Sequence, residues 1–202
     1  MTSRATYLED VGLVERCLDR ATGAQEAAAR DLFRRYRTRV HAALYRILGG
    51  NAEMEDLLQE TFIQVFASLS SWRAEASLAT WIDRIAVRVA YRAIARRRGQ
   101  TALTVDAPTA EGVLELDGAD ASLAREGVRR FYRALDDLAP ASRIAFALHE
   151  LDGRPLAEVA AITSATVTAT KLRVWRARRA LDAAARRDPV LREFLADDRG
   201  AP

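Results

Sequence analysis

A nearly all-helical chain of two small domains is what the sequence predicts, on three observations. Ala, Leu, Arg and Glu, all strong helix formers, dominate outside one central segment. Only ten Gly and five Pro occur in 202 residues, and several of them fall in that segment. Charge divides the chain at the same place: residues 1–98 hold 16 basic and 12 acidic side chains, residues 99–124 none and five, and residues 125–202 hold 15 and 11. Half of the residues are hydrophobic, enough to build cores on both sides. Gly99 to Ser122, with Pro108, Gly112, Gly118 and no periodic apolar stripe, is expected to be a flexible acidic linker packed tightly into neither domain. The expected organisation is a helical domain over 1–98, the linker over 99–124, a helical domain over 125–187 and a tail over 188–202.

In the first domain the spacing predicts a helix from Asn51 to Leu69, with Asn51 as its cap and Glu53 and Glu55 in the first turn. Met54, Leu57, Leu58, Thr61, Phe62, Val65, Phe66 and Leu69 form one apolar face that must be core. Asp56, Gln59 and Glu60 project together on the other face, and Ile63 falls in the middle of them. An isoleucine ringed by polar groups fits the centre of a protein interface. A single exposed isoleucine on a solvated helix fits equally well.

A loop from Ser68 to Leu78 displays Trp72 and Arg73 ahead of a helix over Ala79–Arg98. Trp81, Ile82, Ile85, Ala86, Val89, Ala93 and Ile94 are its expected core side, and Arg84, Arg88, Tyr91, Arg92 and Arg96 its outer face. Arginine interleaved with aromatic rings suits single-stranded nucleic acid, where phosphates need positive charge and unstacked bases need flat surfaces. Trp72 has two readings, a base-stacking ring or an anchor for its own loop.

In the second domain Leu156, Val159, Ala160 and Ile162 predict a short helix, broken at Thr163 and Ser164. A second helix resumes with an apolar stripe of Val167, Val174, Ala177 and Leu181, capped by Thr166 or Thr168. This is the outline of a helix-turn-helix. From Lys171 to Arg187 its second helix carries six arginines and one lysine against a single carboxylate, Asp182. Lys171, Leu172, Trp175, Arg176, Arg178 and Arg179 share the outer face, with Arg173 at its margin. Guanidinium groups bind phosphates and read guanine edges bidentately, so this helix fits the DNA major groove, against the plainer alternative of a solvated basic face. Pro189, Leu191, Phe194 and Leu195 then leave open a terminal helix or a regulatory tail.

Other classes are disfavoured. Cys17 has no partner for a disulfide, and His41 and His149 are too few for a metal cluster, so no metal and no cofactor is expected. No catalytic constellation or glycine-rich phosphate loop is found, so an enzyme is not expected. Glu9 and Asp10 close behind Leu8 leave no signal-peptide core, and no apolar run approaches transmembrane length, so a reducing cytoplasm is the expected setting, with no membrane partner.

DLFRRYRTRVHAALYRILGG, EMEDLLQETFIQVFASL, SLATWIDRIAVRVAYRAIARRR, and ALDDLAPASRIAFALHELDGRPLAEVAAI followed by KLRVWRARRAL together resemble the bacterial extracytoplasmic-function sigma factors of the sigma-70 family. The match covers nearly the whole chain, and the combination of ED-x-x-QE-x-F, TW-x-x-RIA and a terminal helix-turn-helix is specific. The resemblance implies a transcription initiation factor that binds core RNA polymerase and directs it to promoters. Asp56, Gln59, Glu60 and Ile63 would meet the β-prime clamp. Trp72, Arg73, Arg84, Arg88, Tyr91, Arg92 and Arg96 would bind the minus-ten element, and Thr168, Lys171, Arg173 and Arg176 the minus-thirty-five element. The β flap and a cognate anti-sigma factor are further implied partners. The alternative is a stand-alone helix-turn-helix regulator that needs no polymerase.

Three departures from the family pattern stand out. Arg88 and Arg92 occupy positions where the family often has Asn and Asp. Ser164 stands at a turn position usually held by Gly, where a left-handed backbone would cost a non-glycine residue about 1 kcal/mol. Thr168, Ala169 and Thr170 replace Gly-Thr-Val, so Thr170 takes the place of a buried valine.

Overall fold

A computed structural model describes residues 4–19, 23–100 and 119–197, which contain no strand. The first bundle comprises α1 (Arg4–Leu18), α2 (Gln25–Leu48), α3 (Met54–Ser68) and α4 (Leu78–Gln100). The second comprises α5 (Ala119–Asp136), α6 (Pro140–Phe146), α7 (Leu156–Ile162), α8 (Val167–Ala185) and α9 (Pro189–Asp197), with α6 running on as a π-turn over Ala147–Leu151. Most of the expected linker, residues 101–118, lies outside the described residues, and so does the end of the tail, 198–202. Helix α5 starts at Ala119, ahead of the expected domain start at residue 125.

The first core forms where Leu32, Val40, Leu44 and Ile47 of α2 meet Leu57, Leu58, Phe62 and Val65 of α3 and Ile82, Ile85, Val89 and Ala93 of α4. Trp81 is only partly buried and packs against this core. The one hydroxyl in the α3 stripe, on Thr61, donates to the Leu57 carbonyl at 2.8 Å, so its burial leaves no polar atom unpaired. Two expectations for α3 need correction. Asn51 does not cap the helix: its side chain accepts from the Glu53 amide at 2.9 Å and donates to the Gly49 carbonyl at 3.1 Å. That local turn delays the helix to Met54, so Glu55 and Asp56, not Glu53, occupy its first turn. Phe66 is exposed by 37 % because it lies roughly 100° from the centre of the buried stripe, whose last place is filled by Leu69 of the 3-10 turn Leu69–Ser71.

The helix-turn-helix forms with the turn that the resemblance implied. Ser164 adopts the left-handed conformation at φ +52°. Thr166 is the cap of α8, accepting from the Ala169 amide at 3.1 Å. Thr170 is fully buried, and its hydroxyl donates to the Thr166 carbonyl at 3.0 Å, which makes a hydroxyl tolerable where a valine was expected. Val167 is 49 % exposed and leaves the expected stripe, because it opens the helix and the buried run starts one turn later, at Thr170.

The terminal segment is a docked helix. Asp188 accepts from the Val190 and Leu191 amides at 3.1 and 3.3 Å and pairs with Arg130 of α5 at 2.8 Å. Phe194 covers Gly127, where any β-carbon would collide with the ring, and meets Phe131 at 6.1 Å between ring centroids.

The two bundles are also packed on each other, a contact that no periodicity in the sequence called for. Ile144, Leu148, Val159, Ile162 and Val174 extend the apolar cluster of the first bundle. The C-terminal end of α2 is held by the second bundle: Arg143 donates to the Ile47 carbonyl at 2.6 Å, and Tyr132 donates to the Tyr45 carbonyl at 3.2 Å. Burial pushes the Tyr132 hydroxyl up to about 12, so it stays a donor throughout the physiological range.

Two consequences can be measured. The bond from Arg130 holds the Asp188 carboxyl below its ordinary value, against an opposing effect of burial. A depressed folded-state value stabilises above the unfolded value, near about 4, and the stabilisation is lost as pH falls through the folded value. Amide exchange in α9, corrected for intrinsic rate, should therefore accelerate relative to α8 as pH drops below about 4, and Asp188→Asn should remove that extra dependence. Ser164→Gly should raise unfolding stability by roughly 0.5–1 kcal/mol, because the left-handed strain relieved exceeds the added freedom of the unfolded chain. Thermal denaturation of the two forms side by side measures it, and an unchanged or lowered midpoint contradicts it.

Candidate nucleic-acid interface

Helix α3 turns a compact polar and apolar face outward. Asp56 and Gln59 are exposed, Glu60 is half-buried, and Ile63 is 61 % exposed among them, with Phe66 alongside. Glu60 is held in place, accepting from Gln64 at 3.1 Å and pairing with Arg92 of α4 at 3.0 Å. An exposed isoleucine and phenylalanine inside a carboxylate rim can bury apolar area against a partner while the rim selects basic groups.

The loop between α3 and α4 is rigid in its hydrogen bonding. The Trp72 indole N–H donates to the Ala76 carbonyl at 3.2 Å, and its ring packs half-buried against the core. Ala74 takes a left-handed backbone at φ +57°, and Arg73 is exposed. The anchoring of Trp72 thus has direct geometric support.

On α4, Arg88, Arg92 and Arg96 face solvent, while Arg84 and Tyr91 are half-buried, Arg84 donating to the Ala161 carbonyl of the second bundle. Arg92 is paired with Glu60 and Arg96 with Glu53, the latter at 3.3 Å. Arg88 makes no ion pair among the described residues, and its guanidinium is pulled down by burial and then by Arg92 and Arg84 beside it. Unneutralised like charge of this kind is relieved by an anion, and phosphate suits the fork geometry of the guanidinium.

The outer face of α8 carries Thr168, Lys171, Leu172, Trp175, Arg176 and Arg179, all exposed. Arg179 lies over the Trp175 ring at 5.4 Å, and Arg178 is tied to Glu150 at 2.6 Å. Arg173 is half-buried and lies near enough to Tyr91 of α4 to act on its hydroxyl electrostatically. The predicted residues of α4 and α8 thus fall on two basic faces, one in each bundle.

Sequence reasoning missed the residues that bring these faces together. Asp83, 1 % exposed, pairs with Arg39 of α2 at 2.7 Å and with Arg154 of the second bundle. Arg39 also pairs with Glu158 of α7 at 2.8 Å. Burial lowers the Arg39 guanidinium, and its bonds to Asp83 and Glu158 more than offset that. Beside this cluster Arg84 donates to the Ala161 carbonyl at 2.9 Å. The signal was present: Asp83 sits between Ile82 and Ile85 on the apolar side of α4, where an unpaired carboxylate would be costly.

Two family models match the chain, Sigma-70 region 2 over residues 32–100 and Sigma-70 region 4 over residues 129–181. The ECF RNA polymerase sigma-E factor of Escherichia coli (strain K12) is 31 % identical over 173 residues, covering 82 % of this chain and 90 % of that protein. The RNA polymerase sigma-H factor of Pseudomonas aeruginosa is 26 % identical over 167 residues, covering 79 % and 86 %. Among solved structures, CnrH in complex with the cytosolic domain of CnrY superposes with a TM-score of 0.61 at 20 % identity, covering 91 % of this chain and 99 % of that one. The sigma factor RpoE of Bartonella quintana, solved in complex with the anti-sigma factor NepR, gives 0.59 at 22 % identity, covering 79 % and 97 %. With both conserved regions matched in order and a relative above 30 % identity along most of its length, the chain belongs to the extracytoplasmic-function sigma factors of the sigma-70 family.

Proposed function

We propose that this sigma factor divides its work among the three faces described above. It binds core RNA polymerase and directs it to specific promoters. Asp56, Gln59, Glu60 and Ile63 dock on the β-prime clamp, with Phe66 as an apolar neighbour. Arg73, Arg84, Arg88, Tyr91, Arg92 and Arg96 take the minus-ten element, with the anchored Trp72 forming the wall of its binding surface. Thr168, Lys171, Arg173 and Arg176 read the minus-thirty-five element as duplex, while the second domain leans on the β flap. The observation that carries this reading is the exposed Ile63 inside its carboxylate rim, a feature a stand-alone DNA-binding protein does not need.

The chemistry required of the chain is recognition, and reaction at the nucleotide belongs to the polymerase. Holding an unstacked nontemplate base costs a few kcal/mol, which phosphate contacts from unpaired cations such as Arg88 help offset. The setting is the cytoplasm, where polymerase and promoter are. Among the described residues no helix is long and apolar enough to cross a membrane. A cognate anti-sigma factor is a further partner, by analogy with the relative solved in complex with NepR.

Asp56→Arg or Ile63→Glu should abolish co-purification with core polymerase while circular dichroism stays unchanged. Retained co-purification would remove the clamp role from this face. Run-off transcription from genomic fragments, with purified core plus or minus the chain, tests the function as a whole. On a promoter so identified, Arg176→Ala should reduce activity far more than Arg187→Ala, by a factor corresponding to about 1–3 kcal/mol for a lost bidentate base contact. Equal losses would reduce Arg176 to general phosphate attraction.

A further inference from the structure

One cavity belongs to none of the three faces described above. It has a volume of about 580 Å³ and lies where α5, α6, the π-turn, α8 and α9 close around the C-terminal part of α2. That size falls within the range of small-molecule sites, about 300–1,000 Å³. Its walls are apolar and largely aromatic, with Phe131, Phe146 and Phe194 contributed by three different helices, together with Leu181 and Leu195. The Phe131 ring centroid lies 6.3 Å from that of Phe146 and 6.1 Å from that of Phe194. Packed interiors leave few voids larger than a water molecule, yet here the half-buried Phe194 and Leu195 line the space without filling it.

Two features fix the polarity of what fits. Tyr45 lines the cavity, and its hydroxyl is buried without a hydrogen-bond partner. That hydroxyl lies near enough to the one on Tyr132, another lining residue, to act on it electrostatically, while Tyr132 spends its own proton on the Tyr45 carbonyl. Buried hydroxyls are nearly always paired, so the Tyr45 O–H is left to donate to an atom the chain does not supply. The charged rim, by contrast, is already balanced. Arg46 pairs with Asp152 at 2.7 Å and Arg178 with Glu150 at 2.6 Å, and Asp182 adds a further carboxylate. An anionic ligand would find both cations committed and would face Glu150 and Asp182.

We propose that this cavity binds an uncharged, fused-ring aromatic molecule whose oxygen accepts a hydrogen bond from Tyr45. Phenylalanine walls favour a flat ring system, which meets them edge-on or offset and loses little conformational freedom on binding. The ligand oxygen satisfies the buried hydroxyl, a bond worth most where no water competes for it. Phenols and aromatic ketones share that chemistry. A peptide segment does not, because each of its residues would bring a backbone donor and acceptor against walls that offer little beyond the Tyr45 hydroxyl to meet them. The site goes beyond the sigma-factor reading and does not rest on it, since Tyr45, Phe131, Phe146 and Phe194 belong to neither the polymerase face nor the DNA faces.

Calorimetric titration of the full-length chain with naphthol tests this, with naphthalene as the analogue lacking the oxygen and naphthoate as the charged one. Naphthol should bind one-to-one with a Kd below about 1 mM, naphthalene roughly fivefold more weakly for want of one hydrogen bond, and naphthoate not measurably. Unspecific partition onto apolar surface gives the opposite order, with naphthalene first. Tyr45→Phe should abolish the preference for naphthol over naphthalene without lowering the thermal midpoint of the free chain, because the hydroxyl it removes has no partner there. Leu195→Trp, which fills the cavity from α9, should abolish binding of both. Should that variant fail to fold by circular dichroism, amide spectra of the wild type decide instead, and naphthol-induced shifts should centre on Phe131, Phe146, Leu181 and Phe194. No saturable binding of naphthol, equal or tighter binding of naphthalene or naphthoate, an unchanged preference in Tyr45→Phe, binding that survives in folded Leu195→Trp, or shifts centred elsewhere would each overturn the proposal. Failure of the chain to associate with core polymerase would remove the sigma reading and leave the titration unaffected.

Discussion

A carboxylate withdrawn almost wholly from water fixes how the two halves of this protein meet. Asp83 is 1 % exposed and has cations from both bundles against it, Arg39 from one and Arg154 from the other. Leaving such a charge without one of its partners costs about 3–5 kcal/mol, whereas replacing a whole buried cluster by apolar residues is often neutral. The cluster therefore contributes little to net stability and much to selectivity among arrangements. Apolar packing between Ile144, Leu148, Val159, Ile162 and the first bundle would tolerate sliding, but a forked guanidinium on a buried carboxylate does not.

The end of α2 supplies the second fixed point. The last carbonyls of a helix lack internal partners and carry the negative end of its dipole. Here Gly49, at φ +77°, ends the helix and donates its amide to the Tyr45 carbonyl at 2.8 Å; Arg97 satisfies the freed Leu48 carbonyl, Arg143 that of Ile47, and Tyr132 adds a second bond at Tyr45. Arg97 is in the same bundle, and the other two come from the second. The Tyr132 ring lies directly over Gly49, as close as 3.0 Å to where a β-carbon would stand, so the contact depends on glycine twice, for backbone and for space. Burial lowers the Arg143 guanidinium even with Asp136 against it, the mark of a cation held in the interface and not at its rim.

What could be read in the sequence was whatever local chemistry decides. The left-handed Ser164 was legible only through the resemblance to the family, while the α4 core side from Ile82 to Ile94 and a threonine cap at Thr166 or Thr168, which the structure places at Thr166, follow from a single helix considered alone. The isolation of Ile63 on its polar face did too. The errors came where a competing local bond or a helix end intervened. Asn51 closed a turn of its own, Phe66 lay at the margin of its stripe, and Val167 stood at a helix end with no neighbour to cover it. The interdomain cluster was illegible for a different reason. Arg39 and Glu158 are 119 residues apart, and periodicity carries no information on pairing at that distance. Only the misfit of Asp83 in an apolar stripe, and of Arg143 beside Ile144 and Phe146, marked these positions as needing partners from elsewhere.

One face of α4 consequently has two claimants. In the closed molecule Arg84 donates to the neutral carbonyl of Ala161, a bond that contributes about 0.5–1.5 kcal/mol net. A phosphate oxygen offers the same N–H a charge-assisted bond, roughly twice as strong, and offers unpaired Arg88 a counterion that α7 does not supply. Against this stands the cost of re-exposing Val87 and Ala90 and of separating Asp83 from Arg154. Compactness and anion binding thus compete for the same Nε–H of Arg84, without any residue having to change its chemistry.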